Sequence, residues 1–546
     1  MFKWCWLIAW LGLSVIGHGQ LLRWPSDDYR YPYLWAHWLT TDDSFRFWGA
    51  RPYYDQEIRA DLSRIASDTS LSWYALLAPW GAVDTIGIGR IPPMGRFFQD
   101  GVHFFRRQAH DLTGVINPVL HWSVGTEQGG NLIYRNVRGI QGRGILDQRI
   151  GFAVELHEVQ EKLPDYLDST YISAGLLGIL TGRGSAKRYD SINPVYDYST
   201  VRSHVSFRVT RHVMAELGRG RHFWGYGRRS LFLSDVASDY VYLHLRTRVW
   251  RFEYHNLYAK LSSGENLMRA PYYPKYSAFH YLLIRWASWL ETAFFEGLII
   301  KRDTGRGFDW EYWNPLIFYQ AVSHDLNSAE NILIGMGIMV RPWKGMRIYH
   351  QLLLDEWNLY KIRQGKGWWG NKTGWQVGMM IRIPGIALPH YFRVEHNAVR
   401  PYTYAHRYRE LTYTHLHQPL AHPLGANFRE WIAEVQAFPH PKIQASLAFI
   451  TYRKGLDSAG YRMGGNIFQY YEMILRAREY GNFIGQGVPL RVMHLQAVVR
   501  WEAWPGWIFE VVGGQRVQQR GEASEIPQYY ATIGIRWHTA RHDGLW

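Results

Sequence analysis

Residues 218–230, Gly-Arg-Gly-Arg-His-Phe-Trp-Gly-Tyr-Gly-Arg-Arg-Ser, gather anion- and sugar-binding side chains into one short run. Arg supplies a planar fork for carboxylates and phosphates, and Trp and Tyr offer rigid amphipathic faces for stacking. The run lacks the Lys-Ser/Thr ending of a phosphate-binding P-loop. It reads either as a basic, aromatic patch facing a polyanion or sugar, or as a tight turn joining two strands.

Other candidates for chemistry are weaker. His415 and His417 share one face of any strand, but no third ligand is in view, so a hydrogen-bonded surface pair without metal is expected. Ser234 and Asp235, with some of the 24 His residues, could be parts of a Ser–His–Asp hydrolase. No Gly-x-Ser-x-Gly elbow accompanies them. No cofactor motif is present.

The elements that would position these residues follow a two-residue rhythm. Trp375, Val377, Met379, Ile381 and Ile383 alternate with Gln376, Gly378, Met380 and Arg382, giving a strand with one apolar and one mostly polar face. Ile150–His157 and Met493–Glu502 repeat the pattern. In Ile332–Val340 the second face carries Gly335 and Gly337, and Ala531, Ile533, Ile535 and Trp537 mark a last strand. Soluble sandwiches alternate too. Strands of about 9–13 residues, charged second faces and aromatics at strand ends favour a transmembrane barrel. Trp343, Trp357, Trp368, Trp369, Tyr402 and Tyr404 are the expected girdle residues. Glu155, Glu395, Glu434 and Glu502 then face the lumen, either as glycosidase-type carboxylates or, more simply, as partners for Arg393 and Arg500.

Composition agrees. The 546 residues include 27 Trp, 37 Tyr and 24 Phe, too many aromatics for a disordered chain. Beyond residue 20 no apolar run is long enough for a spanning helix. The single Cys, Cys5, excludes a disulfide framework and a Cys-based zinc site. Lys3, the apolar stretch Trp4–Ile16 and the small-residue exit Gly17-His18-Gly19 read as a secretory signal over residues 1–19. Export turns the net charge of +15 away from nucleic acid and toward lipid, sugar and anionic polymers.

Residues 20–110 alternate poorly. Ile58, Leu62, Ile65 and Ala66 fall at helical spacing, so a partly helical plug or flanking segment is expected there. Residues 111–546, at about 24 residues per strand and connection, give about 18 strands. The fold class expected is thus all-β: a transmembrane antiparallel barrel of about 18 strands with an N-terminal plug.

Four stretches carry a resemblance: Asn136–Gly142 (NVRGIQG), Phe223–Asp235 (FWGYGRRSLFLSD), Glu395–His406 (EHNAVRPYTYAH) and Leu420–Glu430 (LAHPLGANFRE). They are similar to the Wzi-like outer-membrane proteins, and within them more closely to the gliding-motility RemB members. The resemblance implies a plugged barrel of about 18 strands in the outer membrane. It implies a role in holding capsular polysaccharide or in supporting gliding and adhesion. It supplies no settled sugar-binding set. Asn136, Arg138, Arg221, Trp224, Tyr226, Arg228, Arg229, Asp235, Arg400, Tyr402, His406, His422 and Asn427 are therefore motif or patch residues of unassigned role.

Two functions follow from these readings. One is a non-enzymatic surface protein whose partners are outer-membrane lipid, an anionic extracellular polysaccharide, and surface or gliding machinery proteins. The other is a hydrolase of glycan or lipid using Glu395, Glu155 or Ser234. A simple porin is disfavoured by the N-terminal segment expected to occlude the pore.

Overall fold

The computed structural model describes residues 48–51, 103–147, 149–167, 179–180, 184–189, 194–263, 273–301, 330–383, 390–440, 442–458, 460–471, 475–504 and 506–537. The expected signal and the helix around Ile58–Ala66 lie outside these residues.

Eighteen strands among the described residues form a closed antiparallel barrel. In chain order they are β1 (Leu112–Glu127), β2 (Leu132–Leu146), β3 (Ile150–Lys162), β4 (Val195–Arg208), β5 (Val213–Gly220) and β6 (Tyr240–Val249). Next come β7 (Phe252–Ser263), β8 (Tyr273–Ala287), β9 (Leu290–Lys301), β10 (Asn331–Val340), β11 (Met346–Glu356) and β12 (Lys372–Arg382). The last six are β13 (Tyr391–Val399), β14 (Phe428–His440), β15 (Ile443–Leu456), β16 (Val488–Trp504), β17 (Trp507–Arg520) and β18 (Ile526–Trp537). Each pairs with its neighbours in sequence, and β18 closes on β1 from Tyr530↔Glu127 to Trp537↔Leu120. A short strand, Phe105–Gln108, continues the β18 side of β1.

Alternation sets the two faces. On β12, Trp375 and Val377 are exposed on the outer wall, whereas Gln376 and Met380 are buried in the lumen. On β16, Met493, Leu495, Val499 and Trp501 point out, while His494, Gln496, Arg500 and Glu502 point in. Because the period is two, a one-residue slip would put charge into lipid, which pins the register. Inside, charges pair: Arg143–Glu155 at 3.0 Å, Arg246–Glu253 at 2.6 Å, Arg285–Glu291 at 3.0 Å and Arg393–Glu434 at 3.4 Å. Arg500 and Arg536 share Glu510 at 2.5 and 3.0 Å. The expected lumen pairing of Arg393 is observed, and Arg500 pairs with Glu510.

The two rims differ. At one, successive strands are separated by only two to eight residues of sequence, as at the described turns 250–251 and 341–345, and both β1 and β18 reach it with their chain-terminal ends. At the other, most strand ends are separated by longer stretches of sequence, among them 163–194, 221–239, 302–330, 357–371, 400–427 and 457–487. Trp250, Trp286, Trp289 and Trp343 are exposed at the short-turn rim as an aromatic belt. Trp357 is exposed just past the end of β11 at the opposite rim, and the other four expected girdle residues sit elsewhere. Trp368 and Trp369 belong to the connection 357–371, and Tyr402 and Tyr404 are buried in the connection 400–427. Their aromatic character serves loop packing, which strand-end position alone does not distinguish from a lipid interface.

Candidate functional site

The run 218–230 is not a tight turn. Residues 221–239 leave β5, cross the lumen and return to β6. Phe223–Trp224 pairs there with Ala50–Arg51, so at least this part of the N-terminal region lies inside the barrel. Trp224 stacks on Tyr281 (5.1 Å between ring centres, 7° between planes) and Phe232 on Phe295 (5.0 Å, 6°). Fully buried aromatics of this size contribute about 1.5–3 kcal/mol each through area alone. The inward-facing Gly335 makes the Phe232 contact possible, because a Cβ there would lie 2.3 Å from that ring.

The connection 400–427 folds inward against the first. Tyr404 donates its hydroxyl to Leu231 O and Tyr413 donates to Phe232 O, both at 2.8 Å. Ser234 donates to Ala421 O, and Ser238 Oγ donates to Gln418 Oε1 at 3.1 Å. The two connections form one cross-braced plug.

Most of the motif residues hold that plug together. Glu395 accepts the backbone N–H groups of Arg228 (2.7 Å) and Arg229 (3.1 Å), the Tyr349 hydroxyl (2.7 Å) and Asn397 Nδ2 (2.9 Å). The Arg228 guanidinium pairs with Glu434 at 2.9 Å, and that of Arg229 with Glu430 at 3.6 Å. His422 Nε2 lies 2.8 Å from Glu430. Arg221 pairs with Asp239 at 3.0 Å and donates to the Asp235 carbonyl at 2.8 Å. Tyr226 is buried beside Gly337. Asn427 (φ 60°) accepts from Gly485 N and donates to the carbonyls of Gly455 and Gln486. Asn136 and Arg138 stand apart, on the outward face of β2 in register with Trp122 and Leu120. The chemistry suggested for Ser234 has no support here, since its hydroxyl donates to a carbonyl.

Among the described residues one cluster has metal-ligand composition: Glu216, His222 and His244, whose donor atoms lie within 4.8 Å of one another. His415 and His417 are not part of it, and they are not the expected surface pair: His415 is buried and accepts from Ser262 N at 3.1 Å, while His417 stacks on Phe468. Tyr242 donates to Glu216 at 2.6 Å, and His244 Nε2 lies 2.9 Å from His255 Nδ1, which in turn is linked to Glu253 through Nε2 at 3.0 Å. These bonds describe a buried polar network, and no metal role is assigned to it.

A half-buried basic and aromatic arrangement lies at the long-connection rim, with Tyr480 exposed at its edge. Connections 357–371 and 457–487 are zipped by backbone bonds, Trp369 N to Glu479 O, Gly481 N to Lys366 O and Asn482 N to Gly367 O. Arg476 lies over Trp369 at 3.8 Å, Arg462 over Tyr470 at 4.4 Å and Lys361 over Tyr480 at 5.1 Å. Lys361 donates to the Tyr480 hydroxyl at 2.6 Å, and this bond raises its pKa above the ordinary lysine value. Arg400, a motif residue, anchors the platform by donating to Asn371 O at 2.7 Å and Trp368 O at 3.3 Å. Tyr402 donates to Arg462 O at 2.6 Å, and His406 packs on Tyr471 at 6.3 Å. Sequence reading missed Lys361, Arg462, Tyr470, Arg476 and Tyr480. The signal available was the basic–aromatic spacing of KIRQGKGWWG (361–370) and RAREY (476–480). Alternating cations and rings suit sugars bearing carboxylates, because ring faces stack on the pyranose while the cations meet the charge.

No protein-family model matches the chain, and no curated protein matches it. Among solved structures it is similar to Wzi of Escherichia coli, an outer-membrane protein involved in Group 1 capsule assembly and a carbohydrate-binding β-barrel. The TM-score is 0.56 at 10% identity, over 96% of this chain and 100% of that one. Two Pseudomonas aeruginosa outer-membrane barrels, OprD and OpdK, match over 78% of this chain. They cover 94% and 98% of their own chains at TM-scores of 0.41 and 0.44, each at 9% identity. The fold is therefore that of an outer-membrane barrel of the Wzi type.

Proposed function

We propose that this chain is a plugged outer-membrane barrel that binds an anionic polysaccharide at the cell surface without transforming it. Outer-membrane barrels place short turns in the periplasm and long connections outside. On that rule the rim bearing Lys361, Trp369, Arg462 and Arg476 is extracellular, and both ends of the barrel sequence are periplasmic. The single observation that carries the proposal is this basic, aromatic platform above a lumen crossed by two interlocked connections. Wzi, which shares the fold, is itself a carbohydrate-binding barrel. The RemB-like motifs extend the proposal to adhesion during surface gliding, with gliding machinery proteins as further partners. Export by residues 1–19 is part of the same reading.

Retention of purified protein on immobilised polysaccharides tests it. An acidic polymer should be held at low salt and released as the Debye length contracts to about 3 Å at 1 M. Equal retention of neutral and acidic polymers at both salt concentrations would overturn the charge-based binding. Turnover of either polymer, abolished by Glu395→Ala or Ser234→Ala, would favour the hydrolase.

A further inference from the structure

Three arginines form a row on the outer wall. Arg429 on β14 pairs in register with Arg453 on β15, and Arg453 with Arg491 on β16. All three are exposed and lie near the long-connection ends of their strands. Directly opposed like charges destabilise a sheet. In the lumen the same residue type is matched with carboxylates, whereas no ion pair of Arg429, Arg453 or Arg491 with a carboxylate is found among the described residues. Arg491 donates only to Gln519 Oε1, at 2.9 Å.

The row borders an open groove of about 300 Å³ that also includes Trp431, Met493, Val517 and Glu525. Trp431 and Met493 are exposed, and they sit one side-chain layer closer to the membrane middle than the arginines. A guanidinium row above an apolar groove, on a wall that faces lipid, matches an amphiphile with anionic headgroup and hydrocarbon chains. Neighbouring strands are about 4.8 Å apart, so the row spans roughly 10 Å, room for one or two phosphate groups held by paired donors.

We infer that Arg429, Arg453 and Arg491 form a binding site for a phosphate-bearing lipid of the outer leaflet, with its acyl chains lying over Trp431 and Met493. The site rests on the membrane orientation proposed above and is independent of polysaccharide binding at the rim. The carboxylate of Glu525 borders the groove and favours partly protonated or cation-bridged headgroups over fully ionised ones.

Native mass spectrometry of the detergent-solubilised full chain tests it, with a bis-phosphorylated glycolipid and its dephosphorylated counterpart as probes. The parent should retain the phosphorylated lipid at least about tenfold better than the dephosphorylated one. The triple variant Arg429→Gln, Arg453→Gln, Arg491→Gln should lose that preference, while Lys260→Gln, outward on the far wall, should keep it. Heat-modifiability on gels verifies that each variant is a folded barrel, and polysaccharide retention is measured in parallel. Unchanged lipid preference in a folded triple variant overturns the site. Full displacement of the lipid by millimolar inorganic phosphate also overturns it, since the groove would then contribute nothing beyond an anion site. Loss of polysaccharide retention with intact lipid preference reassigns the row to the polymer.

Discussion

Replacement of Glu395 by Ala removes one carboxylate from the centre of the plug. Four donors lose their acceptor: two backbone N–H groups from the 221–239 connection, the Tyr349 hydroxyl and the Asn397 amide. Hydrogen bonds to a charged partner contribute about 1.5–3 kcal/mol each, so the lower bound for four is roughly 6 kcal/mol. The vacated space admits water, which returns about half, leaving about 3 kcal/mol against docking of residues 228–232. That is a factor of roughly 100 in the population of the undocked state. Hydrogen exchange read by mass spectrometry on peptides covering 223–235 should accelerate by about that factor, with the barrel strands unchanged. Glu395→Gln should accelerate exchange as well, because its NH2 replaces an acceptor and faces donors. Exchange at 223–235 within about threefold of the parent in both variants would refute the argument that Glu395 holds the plug.

Acid should loosen the second inward connection. Burial, the main cause for each, lowers the pKa of His406 to about 4, of His417 to about 4 and of His415 to about 3. The unfolded connection takes up these protons near pH 6.5 and the folded one does not, so stability is full above pH 6.5 and falls as pH drops toward 4. For His406 alone the loss approaches about 3 kcal/mol, and exchange in 400–427 should quicken across that window. Gly335→Leu should displace Phe232 and undock the first connection at a cost of about 1–3 kcal/mol, read as lost protection at 230–234. Trp369→Ala should weaken retention of the acidic polymer about tenfold, as expected for loss of one stacking face, while leaving barrel heat-modifiability intact.

The barrel was legible because side-chain direction in a strand repeats every two residues. Trp375–Ile383 and Met493–Glu502 could be divided into lipid and lumen faces without coordinates, and the inward carboxylates followed from that division. The inward connections carry no period. Residues 218–230 stood out by composition, and Phe223–Asp235 and Leu420–Glu430 by resemblance, but nothing local says that a connection crosses the lumen when it could stand outside it. Gly335 and Gly337 were assigned to the inward face, yet their use as space for Phe232 and Tyr226 needs the partner rings in place. Trp368 and Trp369 misled for a related reason, since an aromatic just beyond a strand fits a lipid belt or a loop platform equally well. The arginine row could not be read at all. Arg429, Arg453 and Arg491 are 24 and 38 residues apart, and only the register of three strands makes them neighbours.

The connection 400–427 does two jobs, and this links plug to platform. Its inward half is tied to the first connection through Tyr404 and Tyr413. Its ends support the rim: Arg400 bonds the backbone of 357–371, Tyr402 bonds Arg462 O, and Asn427 gathers the backbone of Gly455, Gly485 and Gln486. Tyr404 N also donates to Asp355 Oδ2 at 2.7 Å, fastening the segment to the wall at the end of β11. Displacing the plug therefore strains the bonds that hold Trp369 and Arg476 in place. A rigid foundation matters for sugar binding because ordering each long basic side chain otherwise costs about 0.5–1.5 kcal/mol per contact. Under the proposed function, the lumen contacts would act on polymer binding through preorganisation, without touching the polymer themselves. On this account Glu395→Ala should lower polymer retention in proportion to the exchange gained in 400–427, and leave it unchanged where only 221–239 is released.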